Sequence, residues 1–355
     1  MKAYIVSLGC PKNLTDTEAI MSKLALEGYS FTDKPRQADL ILINTCAFIQ
    51  SATKESIATI KQLAKWKKKG KCKYLIAAGC LPQRYKHELP KLLPQVDAFI
   101  GTPRRFETKA KTIQATPPWF AYVKIAEGCS NKCAYCTIPQ IRGPLKIRPI
   151  KDILNEVKLL AKAGVKEIIY IAQDTTVYPK LTVLLEKTCE IKGIKWVRLM
   201  YAHPAHITDK LINTIARQKK IVKYLDLPIQ HCHDKILTKM NRRYQRQDLE
   251  NIISKIRREI PGIALRTSVI VGFPGEGETE FKELIDFVKK VRFNRLGAFT
   301  YARENGTPAS KMRGQVSAKS KKHRLNKLMQ TQARISRGLN QKMVGKNLNI
   351  IIERN

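Results

Sequence analysis

Cys129, Cys133 and Cys136 stand as C-x₃-C-x₂-C. Three thiolates this close in a chain can hold one face of a metal cluster. A 4Fe-4S cluster usually takes four cysteines, so three leave one iron open to an exogenous ligand. A closed structural zinc site needs a fourth protein ligand, and no His or further Cys occurs between Thr137 and Ile150. The spacing favours an open cluster over zinc.

Cys10, Cys46 and Cys80 are far apart, yet each directly follows a predicted strand, at 4–8, 40–43 and 74–78. If these strands run parallel, the three cysteines share the carboxyl edge of one sheet, where ligand sites form. Buried structural thiols are the alternative. Three coincidences out of three favour a second cluster, again with one iron unsatisfied. Cys72, Cys189 and Cys232 share no spacing and read as bystanders. Cys232 lies between His231 and His233, but consecutive side chains point in different directions and rarely converge on one ion.

The elements needed to position these residues are α/β. In the first hundred residues the strands alternate with helical patterns. Thr15 and Glu18 have capping-box spacing ahead of Ile20, Met21, Leu24 and Leu26, and Gly28 supplies a stop. A second helix is predicted over 51–69, and a fourth strand at 98–100. Strand–helix alternation implies a doubly wound parallel sheet. A Thr-, Pro- and basic-rich linker follows at 104–118. A second series then places strands at 120–125, 167–172, 196–201, 224–229, 264–271 and 295–301. Its clearest helices are 150–163, 208–218, 246–259 and 278–291. Six such units read as a partial (β/α)₆ barrel, whose chemistry sits at the carboxyl ends of the strands. A basic helix is expected over 317–343 and one strand at 347–352. The predicted bounds are therefore 1–103, a linker at 104–118, a barrel at 119–316, a basic extension at 317–345, and a truncated further domain at 346–355.

The chain has 355 residues, with 66 Lys and Arg against 29 Asp and Glu, a net charge of +37. Hydrophobic residues make up 43 %, too many for a disordered polycation. An anionic partner is implied, RNA or a ribonucleoprotein first. The opening MKAYIVSLGC does not read as a secretory signal, and residues 40–53 fall short of the ~20 apolar residues of a membrane helix. Nine cysteines without an export signal point to metal or redox use in the cytoplasm rather than to a disulfide framework.

With these residues in view, the chain resembles the radical S-adenosylmethionine enzymes, through C-x₃-C-x₂-C after a first barrel strand. The added domain with three separated cysteines is similar to their methylthiotransferase branch. Within it the chain resembles the ribosomal-protein (RimO-type) methylthiotransferases. The segments that carry this likeness are Ser7-Leu8-Gly9-Cys10-Pro11-Lys12-Asn13, Asn44-Thr45-Cys46, Gly79-Cys80, Glu127-Gly128-Cys129, Ile138-Pro139-Gln140-Ile141-Arg142-Gly143-Pro144, Gln173-Asp174-Thr175-Thr176, Leu227-Pro228-Ile229-Gln230-His231 and Val271-Gly272-Phe273-Pro274-Gly275-Glu276. The resemblance implies an auxiliary 4Fe-4S cluster on Cys10, Cys46 and Cys80, and a radical-generating one on Cys129, Cys133 and Cys136 that chelates S-adenosylmethionine. It also implies insertion of a methylthio group at the β-carbon of an aspartate in small-subunit ribosomal protein twelve, with an electron donor as a further partner. That carbon has no acidic hydrogen, so a radical must abstract it.

Three departures from the family pattern stand out. Lys146-Ile147-Arg148 replaces a Ser between two basic residues. Tyr178 runs straight into Pro179-Lys180, where relatives carry a longer loop. Of the β-rich TRAM module, only a first strand is expected.

Gln173, Gln230 and Arg266 are placed at strand ends, either as contacts to the cofactor's ribose or carboxylate or as ordinary strand-end hydrogen bonding. Gly272 and Gly275 either allow close approach to the adenosine or make a tight turn. His203 and His206 read as structural, since radical abstraction needs no general base. The basic runs 65–73 and 319–337 read as solvated faces, with steep salt dependence if they meet RNA. Two other functions fit the charge. One is a tRNA adenosine methylthiotransferase; the other is a zinc-stabilised RNA-binding protein without activity.

Overall fold

The computed structural model describes residues 1–103 and 113–351. The chain divides into two compact units, Met1–Ser130 with Thr137–Ala163, and Asn131–Cys136 with Gly164–Asn355. The strand and helix that open the second alternating series therefore belong to the first unit.

In the first unit, strands Ser30–Phe31, Lys2–Ser7, Leu40–Thr45, Tyr74–Gly79 and Ala98–Ile100 lie in that spatial order and all run parallel. The order reverses between Lys2–Ser7 and Leu40–Thr45, the type of switch point where doubly wound sheets take ligands. Leu40–Thr45 is buried at every position, which is why it reads as an unbroken apolar run followed by Asn and Thr. The two-residue edge strand Ser30–Phe31 is too short and too exposed to leave a pattern.

The first helix departs from expectation. It spans Pro11–Leu26, with Cys10 as N-cap and Pro11 at its first turn, where a missing N–H costs nothing. Thr15 and Glu18 are not a capping box: Thr15 Oγ1 donates to the Lys12 carbonyl, and Glu18 Oε1 accepts the Ala115 N–H at 2.9 Å. The helix buries its polar side, with Lys12, Asn13, Thr15, Asp16, Thr17, Glu18 and Ser22 inside. The helix expected over 51–69 breaks into Gln50–Ala64 and Trp66–Lys69.

Strand Phe120–Lys124 and the short antiparallel pair Ala126–Glu127 and Lys146–Ile147 complete this unit with helices Ile138–Arg142 and Ile150–Lys162. Residues 104–112 of the expected linker lie outside the described residues. The rest is pinned: Gln114 Nε2 donates to the carbonyls of Pro117 and Phe120.

In the second unit Glu167–Ile171 pairs in parallel with Trp196–Leu199. Tyr224–Asp226, Ala264–Val271 and Arg295–Thr300 form a second parallel set. Between them lie helices Leu181–Glu190, Asp209–Arg217, Asp234–Lys239, Arg246–Glu259 and Glu278–Val291. Two strands, Trp196–Leu199 and Tyr224–Asp226, stop two or more residues short of expectation. Past the first lies Tyr201, with φ 59°, a left-handed conformation that cannot extend a strand; past the second, Pro228 has no N–H to give the ladder. Helix Ala318–Gln341 packs through Arg324, Leu328, Gln332 and Ile335. The strand expected at 347–352 is not formed over 347–351; residue 352 lies outside the described residues. A single strand without a neighbour has no ladder to join.

Candidate metal centre

Cys10, Cys46 and Cys80 each leave a parallel strand at the same edge. The register pairs Ser7 with Asn44, Asn44 with Ala78, and Thr45 with Gly79, so Cys46 and Cys80 are the next residues of adjacent strands. Gly9 brings the first strand's turn against Cys46. Its φ is 93°, and a Cβ there would lie 2.8 Å from Cys46 Cβ, so only glycine fits. Ser56 clamps Cys46, its Oγ accepting the Cys46 N–H at 3.1 Å and donating to the Cys46 carbonyl at 2.7 Å. Asn13 Nδ2 ties the Leu8 carbonyl at 2.6 Å. Asn44 Nδ2 donates to the Asn13 carbonyl and to Thr17 Oγ1, each at 2.8 Å. The buried polar face of the first helix thus fixes the loops that carry the cysteines.

Arg142, at the end of Ile138–Arg142, reaches this edge. Its Nη1 donates to Asp16 Oδ2 at 2.9 Å and to Glu127 Oε1 at 3.1 Å, and its Nη2 reaches Cys80 Sγ at 3.5 Å. Lys124 pairs with the same two carboxylates. Two cations and two carboxylates balance, which is what makes so deep a burial tolerable. Burial works against the Glu127 charge, but Lys124 and Arg142 hold its carboxyl down at about 2. Burial pushes the Cys80 thiol up to about 11 and also raises Cys46, so both are neutral thiols until a metal displaces their protons.

Cys129 follows Gly128, whose φ is 72°, and its N–H donates to the Gly143 carbonyl at 3.1 Å. Cys129 belongs to the first unit, whereas Cys133 and Cys136 belong to the second. In the second unit the Cys136 N–H closes a turn onto the Cys133 carbonyl at 3.1 Å. Cys133 Sγ accepts from Arg242 Nη1 at 3.6 Å. Arg242 is itself fixed by Tyr244 Oη and the Pro228 carbonyl, each at 2.7 Å.

The cofactor candidates lie at strand ends of this unit. Arg266 donates to the buried Asp226 carboxylate at 2.9 Å, with its side chain one-third exposed. Gln230 holds the next strand by accepting from the Ile270 N–H and donating to the Ser268 carbonyl. The space over Gly272 is filled by the methylenes of Lys321, and its N–H goes to Glu276 Oε1 at 2.9 Å. Gly275 is likewise covered by Lys239. Both glycines shape the turn. Gln173 follows strand Glu167–Ile171 by two residues. Next to it, Asp174 Oδ2 accepts from Asn131 at 2.9 Å and pairs with His206 Nδ1 at 2.8 Å.

Residues 2–101 match a family model described as Uncharacterized protein family UPF0004, and residues 123–288 match the Radical SAM superfamily. The ribosomal protein uS12 methylthiotransferase RimO of Citrifermentans bemidjiense is 46 % identical over 99 % of this chain and 86 % of its own length. That of Geobacter sulfurreducens is 45 % identical over the same shares. The chain belongs to the RimO family of uS12 methylthiotransferases. In fold it is similar to a radical S-adenosylmethionine methyltransferase from Kitasatospora setae, with a TM-score of 0.65 at 12 % identity, over 94 % of this chain and 89 % of that one.

The RimO family implies two 4Fe-4S clusters, and the donor set in the first unit suits one. A single tetrahedral zinc needs sulfurs about 3.8 Å apart. Among the described residues, the His, Cys, Asp and Glu trio with ligand atoms all within 4.8 Å is Asp174, His203 and His206; Cys10, Cys46 and Cys80 are not that tight. Three thiols and no His or carboxylate are the donor type of an iron–sulfur cluster. The Asp174 trio is already satisfied internally, His203 Nδ1 accepting from Ala205 N–H at 3.2 Å and Asp174 Oδ1 from Thr176.

Sequence reading did not single out Arg142, Arg242, Asp16 or Lys124. For Arg142 a signal existed in its place between two structure-breaking residues of Ile-Pro-Gln-Ile-Arg-Gly-Pro. For the others there was none, because charged residues on amphipathic patterns read as solvated. No helix among the described residues is long and apolar enough to cross a membrane.

Proposed function

We infer that this chain is a radical S-adenosylmethionine methylthiotransferase that modifies ribosomal protein uS12, at the β-carbon of an aspartate, in the cytoplasm. The observation that carries this is the convergence of Cys10, Cys46 and Cys80 at one sheet edge, in a chain with near-full-length kinship to the RimO family.

Cys10, Cys46 and Cys80 would hold the auxiliary cluster, and Cys129, Cys133 and Cys136 the other. When bound, the clusters and S-adenosylmethionine supply hydrogen abstraction from an unactivated carbon and a store of sulfur. The protein's own residues do the positioning. Arg142 and Arg242 each aim one N–H at a cysteine sulfur, a contact that tunes a cluster's potential and locks its ligand. Arg266, oriented by Asp226, keeps part of its fork for a carboxylate. Gln173 and Gln230, beyond strands of two different parallel sets, would present their amides to the cofactor.

Mass spectrometry of uS12 and of tRNA nucleosides, after anaerobic incubation of the loaded enzyme with each, tests the reading. A gain of one methylthio group on an aspartate of uS12 is expected. Modification of tRNA alone would transfer the chain to the adenosine-modifying reading. A colourless protein containing zinc would exclude both.

A further inference from the structure

Helix Ala318–Gln341 carries Lys319, Lys321, Lys322, Arg324, Lys327, Arg334 and Arg337 and no Asp or Glu. Its two sides have separate tasks. The inner side is committed: Leu328 and Ile335 are buried, Arg324 donates to Glu276 Oε1 at 2.8 Å, Lys321 to the Tyr301 carbonyl at 2.9 Å, and Gln332 to the Phe293 carbonyl at 2.8 Å. Glu276 also takes the Gly272 N–H, so the helix is bolted to the turn after strand Ala264–Val271.

The outer side holds Lys319, Lys322, His323, Lys327, Arg334 and Arg337, all exposed. Their spacing keeps them within one stripe at 3.6 residues per turn, about 27 Å long. No ion pair with a carboxylate engages them among the described residues; Lys327 Nζ lies 5.9 Å from the centre of the Phe281 ring, and the charge of the row is otherwise not spent internally. Arg292 and Arg295 widen the stripe near its carboxyl end, with Arg292 Nη2 beside Gly338 and Arg295 Nη1 3.4 Å from Asn340 Oδ1.

We propose that this stripe docks on RNA phosphates, so that the enzyme acts on uS12 assembled with ribosomal RNA in preference to the free protein. The proposal rests on the uS12 reading above. Charge complementarity selects the occupant. A rigid row of cations without acids neutralises consecutive phosphates. A chain of net charge +37 is drawn to an RNA-covered particle. A membrane is the poorer fit: insertion needs an apolar stripe beside the basic one, and here that stripe is packed inside. Among residues 318–341 there is no Phe, Tyr or Trp, and His323 is the single ring on the outer face, so contact is mainly with backbone rather than with a run of stacked bases.

The test uses the full cluster-loaded chain and the triple variant Lys322→Gln, Arg334→Gln, Arg337→Gln, three exposed sites outside the catalytic machinery. Binding to small ribosomal subunits, to free uS12 and to phosphatidylserine vesicles is measured by sedimentation over a range of salt. Methylthiolation of subunit-bound and free uS12 is read by mass spectrometry. Wild type should bind subunits with a steep salt slope. The variant should bind them about tenfold or more weakly, with the slope reduced by about two. Its turnover on free uS12 should not change. An unchanged slope, equal loss on both forms of uS12, or helix-dependent binding to vesicles instead of subunits would overturn the proposal. Helix-dependent subunit binding without modification of any form of uS12 would leave the docking face standing and remove the uS12 reading.

Discussion

Arg142 Nη2 reaches Cys80 Sγ at 3.5 Å while its Nη1 is held by Asp16 and Glu127. One guanidinium therefore serves both the fold and the metal edge, one arm for each. Removing it strands two carboxylates beside a lone Lys124. In the iron-free protein, Arg142→Met should cost about 3–5 kcal/mol, read as a lower urea midpoint. Arg142→Lys retains the charge but not the fork, and should cost less. A midpoint equal to wild type for Arg142→Met would show that the network contributes nothing.

The two cysteine sets should separate in a single experiment. Cys10→Ala, Cys46→Ala and Cys80→Ala together should halve the iron, from about eight to about four per chain. Reductive cleavage of S-adenosylmethionine should survive, and methylthio insertion should stop. The corresponding change at Cys129, Cys133 and Cys136 should abolish cleavage itself. Retained insertion in the first variant would defeat the two-cluster assignment.

Gly9 offers a subtler probe of the same edge. Ala at this position needs a left-handed backbone and places a methyl 2.8 Å from Cys46 Cβ. Gly9→Ala should displace Cys46, cost about 1–3 kcal/mol, and lower iron occupancy towards four per chain without touching a ligand. Full iron content with unchanged stability would mean that the turn has slack the geometry does not show.

The sheet edges were legible because buried parallel strands announce themselves as apolar runs. Leu40–Thr45 and Ala264–Val271 are examples, and the cysteines follow such runs at once. The first helix was misread for the opposite reason. Periodicity says which side is greasy, not which side is buried, and here the polar side turns inward to build the site. Asp16 and Asn13 are inside, while Leu26 is exposed. A Cys N-cap lies outside the usual Ser, Thr, Asp signals, and the start signal at Pro11 was passed over for the Thr15 and Glu18 spacing. Tyr201 and Gln230, at φ 59° and 64°, could not be foreseen, since neither residue type favours that conformation.

His203 gives a prediction in pH. Its ring is buried, and burial together with the charge of Arg242 pushes its pKa down to about 3 from an ordinary 6.5. Below pH 6.5 the unfolded chain takes a proton that the folded chain refuses, so unfolding is favoured as pH falls. The stabilisation is complete above about 6.5 and drains away towards 3, at up to about 1.4 kcal/mol per pH unit. Between pH 7 and pH 5 the loss amounts to about 2 kcal/mol. Asp174 beside it is held low by His206 and Thr176 against the effect of burial, so its own contribution changes only in stronger acid, outside this window. His203→Asn keeps an acceptor for the Ala205 N–H and removes the titrating ring. Urea midpoints at pH 7, 6 and 5 should fall more gently for the variant than for wild type, with the gap opening below pH 6.5. Parallel curves for the two proteins would mean that His203 accepts its proton in the folded state, and that the Asp174, His203 and His206 cluster opens to water.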